Sequence, residues 1–323
     1  MKIGIDIGYG FTKAVNENGE KVIFPSLVAP AAGHDALGGV FSQTQEYRVG
    51  IAAGHKKVDL LVGDAARHSF AVSQALNKEK PPELHDPLLL TAIGLLGQKS
   101  SKLSIGVGLP LAYYTSQKEN LKQRLNQLSV FVTVNGIEQY VSGPGVQVLP
   151  QGAGVLLKAG SQLPLRGYIG VVDPGTYTTE YLLFEMKDGQ PVPILEACGS
   201  VEIGTNLVYS AVAREFQAQT GSPLPTGMEH EIIRQALNRE VIRYYGKAYY
   251  LDDVAYAARK NVSTALSQKV LAAWGNRTGY IQYTFLAGGG PLFFGPDLHN
   301  SLPCPVIVDE PVFANAEGYL AFL

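Results

Sequence analysis

The feature that most constrains this chain is a device that occurs twice. The first copy is KIGIDIGYGFTKAV, from Lys2 to Val15: an apolar run holding one carboxylate, Asp6, a turn with Gly8 and Gly10, then a second apolar run. The second copy, GYIGVVDPGTYTTEYLLF from Gly167 to Phe184, keeps the order: apolar run, Asp173, the turn PGTYTT, apolar run. Runs of this length bounded by glycine and proline read as strands. A carboxylate buried without a partner costs on the order of several kcal/mol, so it is paired, hydrogen-bonded or facing a cation. Either acid alone can satisfy the backbone of its own turn. Two of them, each followed by glycine within two residues, point instead to an internal duplication with a cleft between the halves.

The segments between the copies fit an α/β chain. KVIFPS follows the first copy across NENGE, making a three-strand meander, and SVFVTVNGIEQYVS is a hairpin whose Asn-Gly supplies a type I′ turn. Ala29 to His55 reads as a loop-heavy insertion. VDLLVG reads as a strand, and DAARHSFAVSQAL and PELHDPLLLTAIGLLGQ as helices. After Gly204 the chain turns helical, through MEHEIIRQALN and the long LDDVAYAARKNVSTALSQKVLAAWG. At 323 residues it suits about two domains.

Net charge −2 gives no global field to hold a polyanion, which argues against direct nucleic-acid binding as the main activity. Cys198 and Cys304 lack CxxC spacing and read as two buried reduced thiols. NVS at Asn261 fits a glycosylation pattern but falls inside a helix-like run. The N-terminus enters a strand directly and no run reaches 18 apolar residues, so a soluble cytoplasmic protein with no membrane partner is expected.

The turns suit phosphate chemistry. Gly8 and Gly10 let backbone N–H groups approach an anion, with Thr12 and Lys13 just beyond; Gly175, Thr176 and Tyr177 offer the same from the second copy. Mg²⁺ keeps most of its waters, so the carboxylates of Asp6 and Asp173 suffice to hold it, mostly through water. LAGGGPLFF is a strand ending in Gly288, Gly289 and Gly290 before a helix, where a flat ring or ribose can lie against the main chain. The chain has no GxxxxGK[ST] loop and no GxGxxG ahead of a long helix, so P-loop and dinucleotide-binding readings are weak.

On these residues the chain resembles the actin/hexokinase/DnaK-type ATPase superfamily, and within it the ParM/StbA-type plasmid-segregation actins. IGIDIGYGFTKAV and GVVDPGTYTTEYLLF look like the two phosphate motifs, and GVGLPLAYYTSQKENLKQRL like a connecting segment. FLAGGGPLF looks like the adenosine motif, and PVFANAEGYLAFL like the closing helix. The resemblance implies a duplicated actin-like (ribonuclease H-like) fold with two domains around a nucleotide cleft. Domain I would be residues 1–150 plus 309–323, with a small subdomain inserted at about 26–82, and domain II residues 151–308.

The resemblance also assigns roles. Asp6 would orient Mg²⁺-bound water, with Gly8, Tyr9, Gly10, Phe11, Thr12 and Lys13 as the first phosphate loop and Asp173, Gly175, Thr176 and Tyr177 as the second. Gln151 falls where the family places a residue near the attacking water. Gly204, Thr205 and Asn206 would border the nucleotide, and Gly288, Gly289 and Gly290 would face adenosine. Arg234 and Asn238 stand where actins touch ribose and base; the usual Lys–Glu pair is missing, which leaves ATP against GTP open.

The function so implied is a nucleotide-switched filament that segregates plasmid DNA, contacting DNA through a small ParR-like adaptor rather than directly. Alternatives are another bacterial or archaeal actin, including an MreB-type cell-shape protein, or a sugar or acetate kinase of the same fold. No acid is clearly placed as base for an acceptor hydroxyl. A DnaK-type module would need a β-rich peptide-binding domain, which this sequence lacks.

Overall fold

The computed structural model describes residues 1–31, 47–67, 69, 71–74, 81–97, 102–159, 163–224 and 228–323. They form two compact units, Met1–Ser161 with Val312–Leu323, and Gln162–Pro311. The first contains β1 (Lys2–Ile7), β2 (Phe11–Asn16), β3 (Lys21–Pro25), β4 (Val28–Pro30), β5 (Tyr47–Ala53), β6 (Lys56–Val62), α1 (Pro82–Leu96), β7 (Ser104–Leu109), α2 (Leu111–Asn126), β8 (Ser129–Val134), β9 (Ile137–Ser142), β10 (Gly145–Pro150) and α3 (Ala153–Ala159). The second contains β11 (Arg166–Pro174), β12 (Thr179–Lys187), β13 (Gln190–Pro193), β14 (Gly199–Val201), α4 (Asn206–Thr220), α5 (Glu229–Leu237), β15 (Ile242–Tyr244), β16 (Lys247–Tyr249), α6 (Asp252–Trp274), β17 (Ile281–Leu286), α7 (Gly290–Phe294), α8 (Pro296–His299) and β18 (Pro305–Ile307). The chain then returns to the first unit as α9 (Ala314–Phe322).

The expected duplication is present in the topology. One sheet runs β3-β2-β1-β7-β10 and the other β13-β12-β11-β17-β18. In each, the strand bearing the aspartate pairs antiparallel with its successor and parallel with a much later strand. Such centre strands are covered on both faces, which is why IGIDI and IGVV are continuous apolar runs. In β1, Ile3 and Ile5 are fully buried. Helix α1 packs against β1 and β2, and α9 also lies on β1. A Cβ on Gly4 would sit only 1.9 Å from the Ala316 carbonyl oxygen, so glycine sets how closely α9 approaches.

The same closeness moves the domain boundary. A Cβ on Gly318 of α9 would lie 1.8 Å from the Gly154 carbonyl oxygen of α3, so the two helices touch backbone to backbone. Helix α3 therefore belongs to the first unit, and the division expected after residue 150 falls after it.

The insertion departs further from expectation. Its sheet runs β4-β6-β5-β8-β9, so the β8–β9 hairpin, well outside residues 26–82, completes it. Strand β5 and the end of β4 lie in the stretch read as loop; residues 32–46 of that stretch are outside the described residues. The helix expected over DAARHSFAVSQAL is not found among the described residues. Gly63–Ala66 forms one 3-10 turn, and Ser73 bridges to Val28 instead, its N–H 2.8 Å from the Val28 oxygen. Residues 68, 70 and 75–80 of that expectation lie outside the described set.

In the second unit, Trp274 is fully buried, and its ring would meet a Cβ on Gly170 at 2.5 Å. Around it pack Val172, Leu183, Val270 and Phe294. A second cluster, Val212, Phe216, Ile232 and Ile233, joins α4 to α5 and receives Tyr244 and Tyr249 of the β15–β16 hairpin. Both cysteines are free; Cys198 is only partly buried, and Cys304, at φ 43 in the turn before β18, is exposed, contrary to expectation. Among the described residues no helix is long and apolar enough to cross a membrane.

Candidate functional site

In the first unit, antiparallel register places Lys13 directly opposite Asp6. Directly opposed residues share a face of the sheet, and Lys13 Nζ donates to Asp6 Oδ2 at 3.1 Å. The other carboxylate oxygen, Oδ1, accepts from Gln151 Nε2, also at 3.1 Å. Asp6 is 4% and Gln151 8% exposed, so Gln151 reaches a buried acid from the far end of β10. Its own backbone is fixed: the Gln151 N–H donates to the Leu109 oxygen at 2.8 Å, and the Gly152 N–H to Asn315 Oδ1 of α9 at 3.0 Å.

The turn between β1 and β2 closes with the Gly8 N–H on the Phe11 oxygen at 3.0 Å. Ser26 clamps it from the end of β3. Its Oγ donates to the Gly8 oxygen at 2.8 Å and its N–H to the Gly10 oxygen at 2.9 Å. Thr12 is fully buried and its hydroxyl meets Ser26 Oγ at 3.0 Å, so it buttresses the turn from behind. Gln74 Nε2 donates to the Tyr9 oxygen at 3.4 Å.

The second unit repeats the turn. The Gly175 N–H donates to the Thr178 oxygen at 2.8 Å, again two residues after a buried aspartate, Asp173 at 8% exposure. Here α4 hangs on the loop: the Thr205 N–H donates to the Gly175 oxygen at 3.2 Å and the Asn206 N–H to the Thr176 oxygen at 2.9 Å. A Cβ on Gly204 would lie 2.4 Å from the Thr176 oxygen. Gly288, at φ +74, approaches Asp173 so closely that a Cβ would lie 2.2 Å from its Oδ1, and a Cβ on Gly290 would meet Pro174 at 2.3 Å. A Cβ on Gly289 would point into open space. The structure thus brings Asp173, Gly175, Thr176, Gly204, Asn206 and Gly288–Gly290 together around one loop.

Opposite Asp173, where the first unit has a lysine, stands Glu180, 2% exposed, accepting from Thr178 Oγ1 at 3.1 Å. Tyr177 donates its hydroxyl to Glu202 Oε2 at 3.1 Å. Arg234 and Asn238 lie together on and just after α5. Arg234 bonds Glu231 Oε1 at 2.7 Å and Glu240 Oε1 at 3.0 Å, and Asn238 shares the Glu240 oxygen at 3.1 Å. The hydrogen bonds it donates to Glu231 and Glu240 push the Arg234 guanidinium up, while Arg234 pulls the Glu231 carboxyl down. Ser26, Asn315 and Glu180 escaped the sequence reading. Of these, Glu180 was findable by register, since both acids face the residue seven positions on.

In each unit, taken by itself, a glycine turn lies beside a buried carboxylate. Among the described residues no three His, Cys, Asp or Glu side chains cluster to cage a metal. One carboxylate beside each glycine loop, Asp6 being already bonded to Lys13 and Gln151, fits an ion carried in by phosphates and largely hydrated rather than caged by protein.

The chain matches two family models, "Actin like proteins N terminal domain" over residues 4–154 and "Archaeal actin homologue MreB-like, C-terminal" over residues 171–300. An archaeal actin homolog of Thermoplasma volcanium is 26% identical over 340 residues, covering 98% of this chain and 97% of that protein. A 15-stranded ParM filament from Clostridium botulinum superposes with TM-score 0.90 at 27% identity, covering 99% and 98% of the two chains. The archaeal actin homolog Ta0583, solved in complex with ADP, shares the fold at TM-score 0.79 and 22% identity, covering 99% and 97%. The chain belongs to the actin-like ATPase superfamily and has its two-domain α/β fold.

Proposed function

We propose that this chain is a cytoplasmic, nucleotide-dependent ATPase that polymerises into filaments and segregates plasmid DNA through a small ParR-like adaptor. One observation carries the nucleotide half of this reading. Two hairpins in two units place a buried aspartate two residues before a glycine whose N–H closes the turn at 3.0 and 2.8 Å. In the first unit Lys13 and the remaining loop N–H groups, and in the second Thr176 and its remaining loop N–H groups, are suited to phosphate oxygens, the Gly8 and Gly175 N–H groups being used to close the turns. Gly288–Gly290 leave room for the nucleoside. Gln151, held by Asp6 and by the Asn315 anchor beside it, orients the water that attacks in line, a task needing position more than basicity. When bound, Mg²⁺ would supply charge neutralisation and an ordered water shell; Asp6 in the first unit and Asp173 in the second are the carboxylates that would hold that water.

The filament half is supported by the likeness to a ParM filament and by a net charge of −2, which suits an adaptor-mediated contact with DNA. A second reading, a cytoskeletal actin unrelated to plasmids, is favoured by the archaeal relatives and the archaeal C-terminal model. The test is sedimentation and light scattering with Mg²⁺ and ATP, ADP or GTP, alongside phosphate release. ATP-dependent pelleting that is lost with Asp173→Ala is the expected result. A wild-type protein that stays monodisperse while hydrolysing ATP would overturn the filament claim. The plasmid role stands on recovery of a small DNA-binding partner encoded beside the gene.

A further inference from the structure

The two residues expected to touch ribose and base are engaged elsewhere. Arg234 turns its guanidinium fork to carboxylates: Nε and Nη2 donate to Glu231 at 2.9 and 2.7 Å, and Nη1 to Glu240 Oε1 at 3.0 Å. Asn238 donates to the same Glu240 oxygen at 3.1 Å. One turn before Arg234, on the same face of α5, stands the half-buried His230. Its Nδ1 lies 3.0 Å from the Tyr209 hydroxyl of α4, and the two rings meet edge-on at 5.0 Å. Tyr209 in turn meets Phe293 of α7 at 6.0 Å, and the Phe293 N–H donates to the Gly289 oxygen at 3.1 Å.

These contacts build an aromatic corner within the second unit, beside the loops described above. A Cβ on Gly289 would meet nothing within 4 Å, so the corner opens at that residue. Asn206, three residues before Tyr209 and on the same face of α4, donates its N–H to the Thr176 oxygen of the glycine turn. At the rise of a helix, Tyr209 stands about 4.5 Å farther along α4 than that anchor. A molecule with its anionic end at Gly175 and Thr176, extended along α4, has its other end at this corner. The Tyr209–His230 bond there can run either way. A phenol hydroxyl both donates and accepts, and the imidazole Nδ1 does one or the other according to tautomer.

We propose that Tyr209 reads the six-position of a purine base and that His230 sets the direction in which it reads. When Nδ1 accepts the Tyr209 proton, the hydroxyl lone pairs take the amino group of adenine. When Nδ1 carries the proton and donates it, the hydroxyl turns its own proton to the carbonyl oxygen of guanine. Phe293 gives the base a flat apolar wall. The chain therefore takes both purines at comparable affinity, which answers the choice of ATP against GTP that Arg234 and Asn238 left open. Tyr209 makes the contact; His230 is a positioning residue that acts through it. This inference rests on the nucleotide half of the function proposed above.

The test titrates the full chain by calorimetry with the Mg²⁺ complexes of ADP, GDP and inosine diphosphate, which has the carbonyl of guanine without its two-amino group. Wild type binds all three within about threefold. Tyr209→Phe keeps the ring and weakens all three by about tenfold. His230→Glu only accepts, so Tyr209 must donate to it, and the ratio of affinities moves about tenfold toward ADP. His230→Lys only donates, and the ratio moves about tenfold toward GDP. The added charges act on the same diphosphate in each case and cancel in the ratio. Inosine diphosphate follows GDP in both variants, and His230→Gln, able to donate or accept, stays within about threefold of the wild-type ratio. Shifts of opposite sign are not what a merely structural role produces, and adding Tyr209→Phe to either charged variant abolishes them. Unchanged affinities in Tyr209→Phe, ratios that stay fixed or move together, or inosine diphosphate following ADP overturn the base reading and leave the nucleotide reading standing. A wild-type chain that binds none of the three overturns both.

Discussion

At the scale of residues, the two strand-end aspartates differ in what stands across from them: Lys13 faces Asp6, while Glu180 faces Asp173. Removing the lysine leaves Asp6 with Gln151 as its remaining named partner. Lys13→Met is therefore expected to destabilise the first unit by about 3 kcal/mol and to weaken ATP binding, both readable by denaturant titration with and without nucleotide. Gln151→Ala removes the amide proposed to orient the water, together with its bond to Asp6 Oδ1. It should lower single-turnover hydrolysis by about 10²-fold while leaving the nucleotide Kd within about threefold; equal loss of binding would take Gln151 out of the water-orienting role. Asp6, Asp173 and the glycines were legible because each sits in a short contiguous motif whose conformation is local. Asn315 was not, because it reaches the Gln151 loop across 163 positions of sequence. Ser26 follows a proline at a strand end, and nothing local marks its hydroxyl as the clamp of another turn.

At the scale of elements, the α3–α9 crossing depends on two glycines lying backbone to backbone. Gly318→Ala inserts a methyl where none fits, and a loss of about 3 kcal/mol or more is expected in chemical unfolding. Helices α1 and α2 are tied by Asp86, which bonds Arg124 and lies 3.1 Å from His85 Nδ1. Burial pushes the Asp86 carboxyl up, but the bonds from His85 and Arg124 outweigh it and hold the carboxyl below the usual range. A depressed folded value means this stability is fully present above the unfolded value of about 3.9 and is lost as pH falls through the lower folded one. Asp86→Asn should cost about 1–2 kcal/mol at pH 7 and flatten the drop in melting temperature below about pH 4. Strong helices were readable here, since Leu88, Leu89, Ala92 and Leu96 repeat at helical spacing. The β15–β16 hairpin was not, because its turn carries Tyr-Gly and lacks the Asn or Asp that announces such a corner. The inserted sheet was only half visible, because β8 and β9 join it from far along the chain.

At the scale of the whole molecule, the duplication was the most legible property, because two separate segments obey one rule: strand, acid, glycine turn, antiparallel return. Two units also need not melt together. The chain has a single tryptophan, Trp274, and it is wedged against Gly170 deep in the second unit. Its emission is therefore a private optical channel for that half. On heating, a shift of fluorescence to the red should mark loosening of the second unit alone, whereas far-ultraviolet dichroism sums both. Gly318→Ala, seated in the first unit, is expected to move the dichroism trace to lower temperature and leave the tryptophan trace nearly fixed. Nature has labelled one lobe and left the other dark, so the lobes can be followed separately without attaching a dye.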